Sequence, residues 1–558
     1  MNMPMVAAGD ALTFTALGGS EEIGMNLYVY EVDGRLLVVD CGITFGDDTT
    51  PGVDVLMPDP TYLEERQDDI VGLVLTHAHE DHFGAIGYLW PRLRCPVYAT
   101  PFSAALLRLK LADQSVLGQV QILEVPLGGT IQLGPFEVTY VTMTHSIPEP
   151  NALVLRTRHG TVVHSGDWKL DPTPTLGEVS DTATLRRLGE EGVRALICDS
   201  TNALEPGRSG SETMVREALT RVVAAQANRV VVTCFSTNVA RLESIAYAAH
   251  ANGRHCALVG RSLWRVHAAA VETGYLADLA EPFLTDAEAA VLPRDRVVLA
   301  CTGSQGEARS ALSRIAQGNH PNIDLDPDDT VVYSAREIPG NEKAIIRVQN
   351  ALVAAGIRIL TPHDDPEIHV SGHPNRDELL DLYGWLRPAL AIPTHGEAMH
   401  TRAHAELARN CQVPEVVIPR DGAVIRLAPG PAEVVDTVPV GRLALDGDRL
   451  ITLDRGAVGM RRKLMYNGAV VVSLALDASG RLLGDPQVSA PGLEDDVDDD
   501  EALIDIIAED VVDALDGLSK RQRQDDDVVR EAVRVAARRS VREARGKRPP
   551  TDVHLMRL

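Results

Sequence analysis

Short runs of apolar, β-rich residues, each ending abruptly in polar ones, recur through the first part of the chain. Leu36-Leu37-Val38-Val39 stops at Asp40, and Val71-Gly72-Leu73-Val74-Leu75 passes through Thr76 into His77. Thr161-Val162-Val163 leads into His164-Ser165-Gly166-Asp167, and Ala195-Leu196-Ile197-Cys198 ends at Asp199. Continuous apolar runs of this length predict buried strands. Polar tips at strand carboxyl ends are where layered α/β folds collect their active sites. From about Gly207 to Leu360 the rhythm becomes strand then helix. Arg229–Phe235, Val297–Cys301 and Thr330–Ser334 read as parallel strands, with helical stretches such as Asn238–His250 between them. This predicts an inserted βαβ domain. The strand-to-tip design returns at Leu390-Ala391-Ile392-Pro393-Thr394-His395, so the first domain resumes after the insertion. Past Pro429 the chain is punctuated by Pro and Gly and reads as a connector. A small last region follows, with a strand at Ala469–Val472, an acidic loop at Glu494–Glu501 and a helix at Asp525–Arg545. That helix sets Val529, Ala532, Val533 and Ala536 on an apolar stripe and Arg530, Arg534, Arg538 and Arg542 on a basic one. The expected boundaries are 1–206 and 362–440 for the split first domain, 207–361 for the insertion, 441–465 for a linker and 466–558 for the C-terminal domain.

Composition narrows the class. With 558 residues and 45% hydrophobic content the chain can bury a large core, which excludes global disorder. A formal charge of −26 argues against a generally basic protein, though a local groove or a bound metal can offset the average. No apolar run approaches the ~18 residues of a membrane span, and Met1–Asp10 carries no basic-then-apolar leader, so neither a membrane anchor nor a secretory signal is expected. Seven scattered cysteines, odd in number and without a C-x-x-C pair, read as reduced core thiols of a cytoplasmic protein.

The strongest chemical signal is His77-Ala78-His79-Glu80-Asp81-His82, directly after a strand. Packing three histidines and two acids at a strand tip has no structural benefit unless they bind something, and imidazole with carboxylate suits zinc and manganese. His77 and His79 point the same way if the chain stays extended; Asp81 and His82 then fall on the turn entering a helix. One site could take the first pair and a neighbouring site the second. His145, Asp167 and His395 each follow a strand and are further candidate ligands, and Asp167 is the candidate bridge.

The HxHxDH motif followed in order by His145, Asp167 and His395 resembles the metallo-β-lactamase superfamily, and an insertion between Asp199 and His373 resembles its β-CASP branch, which processes nucleic acids. Leu17–Gly24, Thr302–Glu307, Ile338–Glu342 and Val370–Pro374 are similar to segments of the ribonuclease J family within that branch; Ser20-Glu21 departs slightly from its glycine-rich turn. The resemblance implies an α/β fold: a metallo-β-lactamase αββα sandwich, an inserted β-CASP α/β domain and a small α+β C-terminal domain. It implies two divalent ions, Zn²⁺ or Mn²⁺, one held by His77, His79 and His145 and the other by Asp81, His82 and His395, with Asp167 bridging. It implies that Asp199 orients the site and that His373 contacts the scissile phosphate. The implied activity is a 5′→3′ exonuclease and endonuclease on single-stranded, 5′-monophosphorylated RNA, in which the ion pair activates a hydroxide and Asp81, Asp199 and His373 are the catalytic candidates. The family also implies a homodimer and RNA-decay or ribosome-associated partners.

Residue types suggest how RNA would be held. Ser236 and Asn238 lie where a strand ends and a helix opens, as do Ser304 and Gln305; Arg261 and Ser262 follow Gly260. Backbone N–H groups are unpaired at such places and suit phosphate, although Ser and Asn there also simply cap helices. Ser371 and Gly372 could offer a hydroxyl and an N–H beside His373. Phe45 could stack on a base or pack in a core. Competing functions are a small-molecule hydrolase of lactamase or thioesterase type, a DNA nuclease of the same branch, and a non-catalytic RNA-binding subunit. The long insertion counts against the first and the full ligand set against the last.

Overall fold

The computed structural model describes residues 10–453, 456–493 and 500–558. Residues 1–9, and most of the acidic stretch expected as a loop at Glu494–Glu501, lie outside the described residues; Asp500 and Glu501 open the helix Asp500–Asp516. The chain divides into two compact units, one of residues up to Thr44 and Leu56–Arg442, the other of Phe45–Val55 and Leu443–Leu558.

Two sheets form the centre of the first unit. One has eight strands, in the order Glu433–Thr437, Ala423–Ala428, Leu12–Gly18, Leu27–Val32, Arg35–Val39, Ile70–Val74, Val97–Ala99 and Ile122–Glu124. The other has seven, in the order Glu415–Val416, Leu390–Thr394, Ala195–Asp199, Gly160–His164, Asn151–Thr157, Phe136–Thr142 and Thr130–Leu133. Period-two alternation decides what each face buries. Leu12, Phe14 and Ala16 face Tyr140, Leu153, Leu155, Ala195, Ile197, Leu390 and Ile392 across the sandwich. The opposite parity, Val154, Leu196, Cys198 and Ala391, packs on helices Thr182–Glu191, Arg376–Leu386 and Ala398–Asn410 through Leu185, Leu379, Leu382 and Leu407. Strands with both faces covered read as unbroken apolar runs, which is why the sequence carries no alternation there.

Strands Gly160–His164, Ala195–Asp199 and Leu390–Thr394 run parallel, with Asp199 opposite Thr394, so their polar ends collect at one edge. Between the last two, the chain builds a separate five-stranded parallel sheet, ordered His255–Val259, Val297–Cys301, Val230–Thr233, Thr330–Tyr333 and Arg358–Leu360. Its core is Val231, Val259, Leu299, Val331 and the helix residues Leu312, Ile345 and Leu352.

In the second unit, strands Gln487–Ser489, Val470–Leu476 and Thr551–Arg557 form a sheet against helices Asp500–Asp516 and Asp526–Arg545. The last helix buries Val529, Val533, Ala536 and Val541; Ala532 is half-buried, and Asp525 caps the helix by accepting from Asp527 and Val528 N–H. Residues 441–465, read as a linker, instead hold the strands Arg442–Asp446 and Arg449–Thr452 and most of a helix, Ala457–Asn467. The hairpin turns at Gly447 with φ +66°; two strands this short give too few alternating positions to stand out from a punctuated connector. The seven cysteines are free thiols, six buried and Cys411 half-buried. Among the described residues no helix is long and apolar enough to cross a membrane.

Candidate metal centre

The sandwich edge brings together side chains more than 300 positions apart. His77 follows strand Ile70–Val74, and His79, in extended backbone, precedes a one-turn helix, Glu80–Phe83, that carries Asp81 and His82. Backbone bonds grip this turn: Cys41 N–H donates to His82 O, Ile43 N–H to Glu80 O, and Asn26 N–H to Asp81 O. Gly42 sits so close that an added Cβ would lie 1.6 Å from Asp81 O, so no other residue fits beneath the turn. His395 ends its strand with φ +50°, and Asp40 ends another with φ +60°. Non-glycine residues in the left-handed region cost on the order of 1 kcal/mol and concentrate at functional sites.

Asp167 is the hub. Its Oδ2 lies 3.2 Å from His82 Nε2, 3.3 Å from His395 Nε2, 3.8 Å from His145 Nε2 and 3.9 Å from His77 Nε2. His79 Nδ1 is 3.1 Å from His77 Nε2 and 3.0 Å from His145 Nε2. Asp81 Oδ2 lies 3.6 Å from His82 Nε2 and 3.7 Å from His395 Nε2. Three overlapping groups have the spacing to hold a metal ion, His77/His79/His145/Asp167, Asp81/His82/Asp167/His395 and Asp167/Asp199/His373/His395, all sharing Asp167; the first two match the expected ligand sets.

The donor set fits a divalent cation. Burial pushes the His77, His79 and His145 imidazoles well below their ordinary range, His145 to about 3; the neighbouring histidines push the same way and Asp167 opposes them without reversing the shift, leaving neutral rings. A ring hydrogen on His79 Nδ1 bridges only one of its two contacts of about 3 Å, with His77 Nε2 and His145 Nε2, whereas a cation among them takes all three lone pairs. His395 Nε2 is buried and makes no well-aligned hydrogen bond, its near polar neighbours being the carboxylates of Asp167 at 3.3 Å and Asp81 at 3.7 Å, an unusual state for a polar atom in a folded interior. Burial alone would raise the Asp167 carboxyl, but the charges of His395, His82 and His373 outweigh it and hold the group well below its usual range. The carboxylates draw protons onto His82 and His395 despite burial; a proton and a metal ion compete for those nitrogens.

Outer partners fix which nitrogen faces inward. Asp40 Oδ2 accepts from His82 Nδ1 at 2.7 Å, and the same carboxylate accepts from Thr76 N–H and Thr76 Oγ1. Thr76 Oγ1 meets His77 Nδ1 at 3.0 Å, Asn26 Oδ1 meets His395 Nδ1 at 2.9 Å, and Gly372 O accepts from His145 Nδ1 at 2.5 Å. Such partners set tautomer and ring orientation at metal sites. Sequence reasoning did not single out Asp40, Thr76 or Asn26. Asp40 and Thr76 stood in view as polar strand tips; Asn26 carries no local signal.

Beside the cluster, His373 Nδ1 donates to Asp199 Oδ2 at 2.7 Å and lies 3.8 Å from Asp167 Oδ2. Burial alone would depress the imidazole; Asp199 and Asp167 lift it to about 9, so at neutral pH it carries a proton. Asp199 is buried, and its Oδ1 accepts from Thr201 N–H. His373 is 21% exposed. Ser371 Oγ accepts from His373 N–H, which leaves the Ser371 hydroxyl hydrogen to donate.

The other expected RNA contacts are more dispersed. Asn238 is buried and caps helix Val239–Ala251 by accepting from Arg241 N–H. Gln305 is also buried: its Nε2 donates to Arg336 O, and its Oε1 accepts from Ile338 N–H and Asn341 Nδ2. Both amides are thus committed to the protein. Ser304 is buried, Ser236 and Ser262 are half-buried, and Arg261 is exposed on the first turn of helix Arg261–Glu272. Phe45 belongs to the second unit, and at 66% exposure it packs in no core.

Comparison with known proteins places this geometry in a class and then in a family. Residues 24–233 match the metallo-beta-lactamase superfamily, 227–352 the Ribonuclease J beta-CASP domain, 367–419 a Zn-dependent metallo-hydrolase RNA specificity domain, and 456–558 the Ribonuclease J C-terminal domain. The chain is therefore a β-CASP metallo-hydrolase by fold. It is 45% identical over 557 residues to the Ribonuclease J of Sinorhizobium meliloti, covering 99% of this chain and 98% of that protein. It is 39% identical to the Mycolicibacterium smegmatis Ribonuclease J, over 99% of both, and 37% identical to that of Thermus thermophilus, over 83% of this chain and 82% of the other. A crystal structure of a protein of unknown function from Enterococcus faecalis V583 shares the fold at TM-score 0.54 and 16% identity, over 75% of this chain and all of that one. The chain belongs to the ribonuclease J family, a family of metal-dependent ribonucleases.

Proposed function

We propose that this chain hydrolyses RNA phosphodiesters, from the 5′ end and internally, at a centre holding two divalent ions, Zn²⁺ or Mn²⁺. His77, His79 and His145 would hold one, Asp81, His82 and His395 the other, and Asp167 both. The observation that carries the reading is the convergence of the other six groups around Asp167, with the protonated His373–Asp199 pair alongside. Bound there, such an ion pair supplies a nucleophile at neutral pH and neutralises charge on the phosphate.

The chain's own residues do the rest. Outer hydrogen bonds from Asp40, Thr76, Asn26 and Gly372 keep ring lone pairs turned inward. His373 brings the proton that the departing 3′-oxygen needs, and Asp199 holds the ring by Nδ1 so that Nε2 is the donating atom. Ser371 Oγ and the Gly372 N–H stand beside it for non-bridging phosphate oxygens. A charge of −26 repels RNA at long range, so affinity is concentrated where cations and the His373 proton lie. Preference for a 5′-monophosphate is assigned to the insertion, where Arg261 and Ser262 open a helix whose first N–H groups suit an anion.

The test removes metal with a chelator, restores Mn²⁺ or Zn²⁺, and supplies RNA bearing 5′-monophosphate, 5′-triphosphate or 5′-hydroxyl ends, together with a DNA oligomer. Mononucleotides released fastest from the 5′-monophosphate RNA support the reading. No product from any RNA with either ion overturns it, and cleavage of DNA alone transfers the site to the DNA nucleases of the branch.

A further inference from the structure

A chain of hydrogen bonds joins the inserted domain to the His373 loop through two residues that touch none of the seven candidate ligands, Arg336 and Asn202. Asn202, three positions after Asp199, is buried. Its Nδ2 lies 2.8 Å from Ser371 Oγ, 3.0 Å from Asn375 Oδ1 and 3.3 Å from His373 O, so one amide spans the whole loop that carries His373. Its Oδ1 accepts from Arg336 Nη1 at 2.7 Å. Arg336 follows the insertion strand Thr330–Tyr333; its Nη2 donates to Glu205 Oε1 at 2.8 Å, and its carbonyl accepts from Gln305 Nε2.

The chemistry of these groups forces one arrangement. A guanidinium only donates, so it admits only the carbonyl end of the Asn202 amide. The NH₂ end is thereby directed at Ser371, His373 and Asn375, where acceptors stand. Without Arg336 the carbonyl end of the amide loses its donor, and Asn202 is held to the loop by its NH₂ end alone. The rigid two-pronged guanidinium matters as well, because one side chain satisfies Asn202 and Glu205 together, which a single ammonium does poorly.

We propose that Arg336 and Asn202 are positioning residues that make the alignment of His373 depend on the docked inserted domain. This rests on the reading of His373 as proton donor to the leaving group. In that step a water oxygen gives up a proton to solvent and forms a bond to phosphorus, the P–O3′ bond breaks, the His373 Nε2 proton passes to O3′, and the ring takes a proton back from solvent before the next turnover. The proposal accounts for a buried amide carrying four polar contacts within the first turn after Asp199, and it makes the insertion part of the catalytic alignment as well as an RNA platform.

The experiment uses the full chain with its metal restored, and compares ordinary RNA with the same oligomer carrying one bridging 3′-sulfur at the scissile linkage. A thiolate leaves without a proton, so faulty delivery from His373 is masked there. Arg336→Ala and Asn202→Ala are expected to lower kcat on ordinary RNA about 10- to 100-fold, with KM and bound metal within about twofold of the parent, and to recover most of the loss on the sulfur substrate. Arg336→Lys should keep part of the activity, and the double variant should be no worse than the poorer single one, because one residue acts through the other. Arg336 is exposed, so Arg336→Ala reports even where Asn202→Ala fails to fold. Two results overturn the proposal: equal losses on both substrates, or additive losses in the double variant. His373→Ala separates this from the underlying reading: if it loses equally on both substrates, the proton-donor role itself fails; if it recovers on sulfur and Arg336→Ala does not, only the coupling fails.

Discussion

Replacing Asp40 with Asn tests how the outer hydrogen bonds control the metal centre, because it changes one charge and almost no volume. Asp40 Oδ1 accepts from Thr76 N–H at 2.8 Å, and Oδ2 accepts from Thr76 Oγ1 at 2.8 Å and His82 Nδ1 at 2.7 Å. In Asp40→Asn the Thr76 N–H claims the remaining oxygen, so an NH₂ group faces His82. The His82 ring must then present a lone pair at Nδ1 and carry its hydrogen on Nε2, the atom 3.2 Å from Asp167 Oδ2. A ligand nitrogen has become a donor. Loss of such outer partners weakens metal binding about 10- to 100-fold, which corresponds to about 1.4 to 2.7 kcal/mol. Chelator competition with Zn²⁺ or Mn²⁺ measures it directly. The loss should fall on the Asp81/His82/His395 group, leaving the site of His77, His79 and His145 near parental affinity. Asp40→Ala should cost global stability as well, about 1–3 kcal/mol, because Thr76 N–H would be left buried without a partner. Parental metal affinity and turnover in Asp40→Asn would refute the tautomer argument.

Other expected outcomes bear on different parts of the molecule. Asp167→Ala should lose bound metal and RNA cleavage together, read by elemental analysis and a gel assay; a metal-replete, active variant removes Asp167 from the hub. Gly372→Ala should displace His145, since the new Cβ would lie 2.8 Å from both His145 Nδ1 and Cε1; metal titration should show a weakened His77/His79/His145 site, and unchanged affinity would mean that the loop yields instead. His404 is buried between Ser200 Oγ and Tyr383 OH, each 2.9 Å from a ring nitrogen, and burial holds it at about 4. The unfolded chain takes up its proton near pH 6.5, so the stability this ring contributes is complete above that pH and is lost as pH falls toward 4. The total is about 3 kcal/mol. Thermal unfolding between pH 7.5 and 4.5 should show a smaller acid loss in His404→Gln than in the parent; parallel curves would contradict the assignment.

How much of this was legible in the sequence follows from how local each signal is. His77, His79, Asp81 and His82 lie within six residues, and the strand before them is a plain apolar run, so their convergence needed only backbone geometry. His145, Asp167 and His395 were legible individually as polar strand ends; their meeting depends on an antiparallel meander that joins the strands before His145 and Asp167 and on parallel pairing that brings in the distant strand before His395, which periodicity cannot give and family resemblance supplied. Asp40, Thr76 and Asn26 went unrecognised as partners because a single carboxylate, hydroxyl or amide has many innocuous uses, and only distance to a ring nitrogen tells them apart. Asn238 and Gln305 illustrate the converse. Their placement at strand-to-helix turns was read correctly, but the side chains turn inward to cap a helix and to pin the segment after Arg336. The short hairpin at Arg442–Thr452 lay hidden because five alternating positions cannot be distinguished from a connector.

The separation of His77 from His395 along the chain has a consequence for synthesis in the cell. About 300 residues, the whole insertion among them, emerge from the ribosome between the first ligand and the last, which takes on the order of 15–60 s at ~5–20 residues per second. During that interval the nascent polypeptide holds only part of its cage. A nuclease so arranged comes into being unarmed, and its cage cannot close on the transcript being translated until the ribosome has read past the codon for His395.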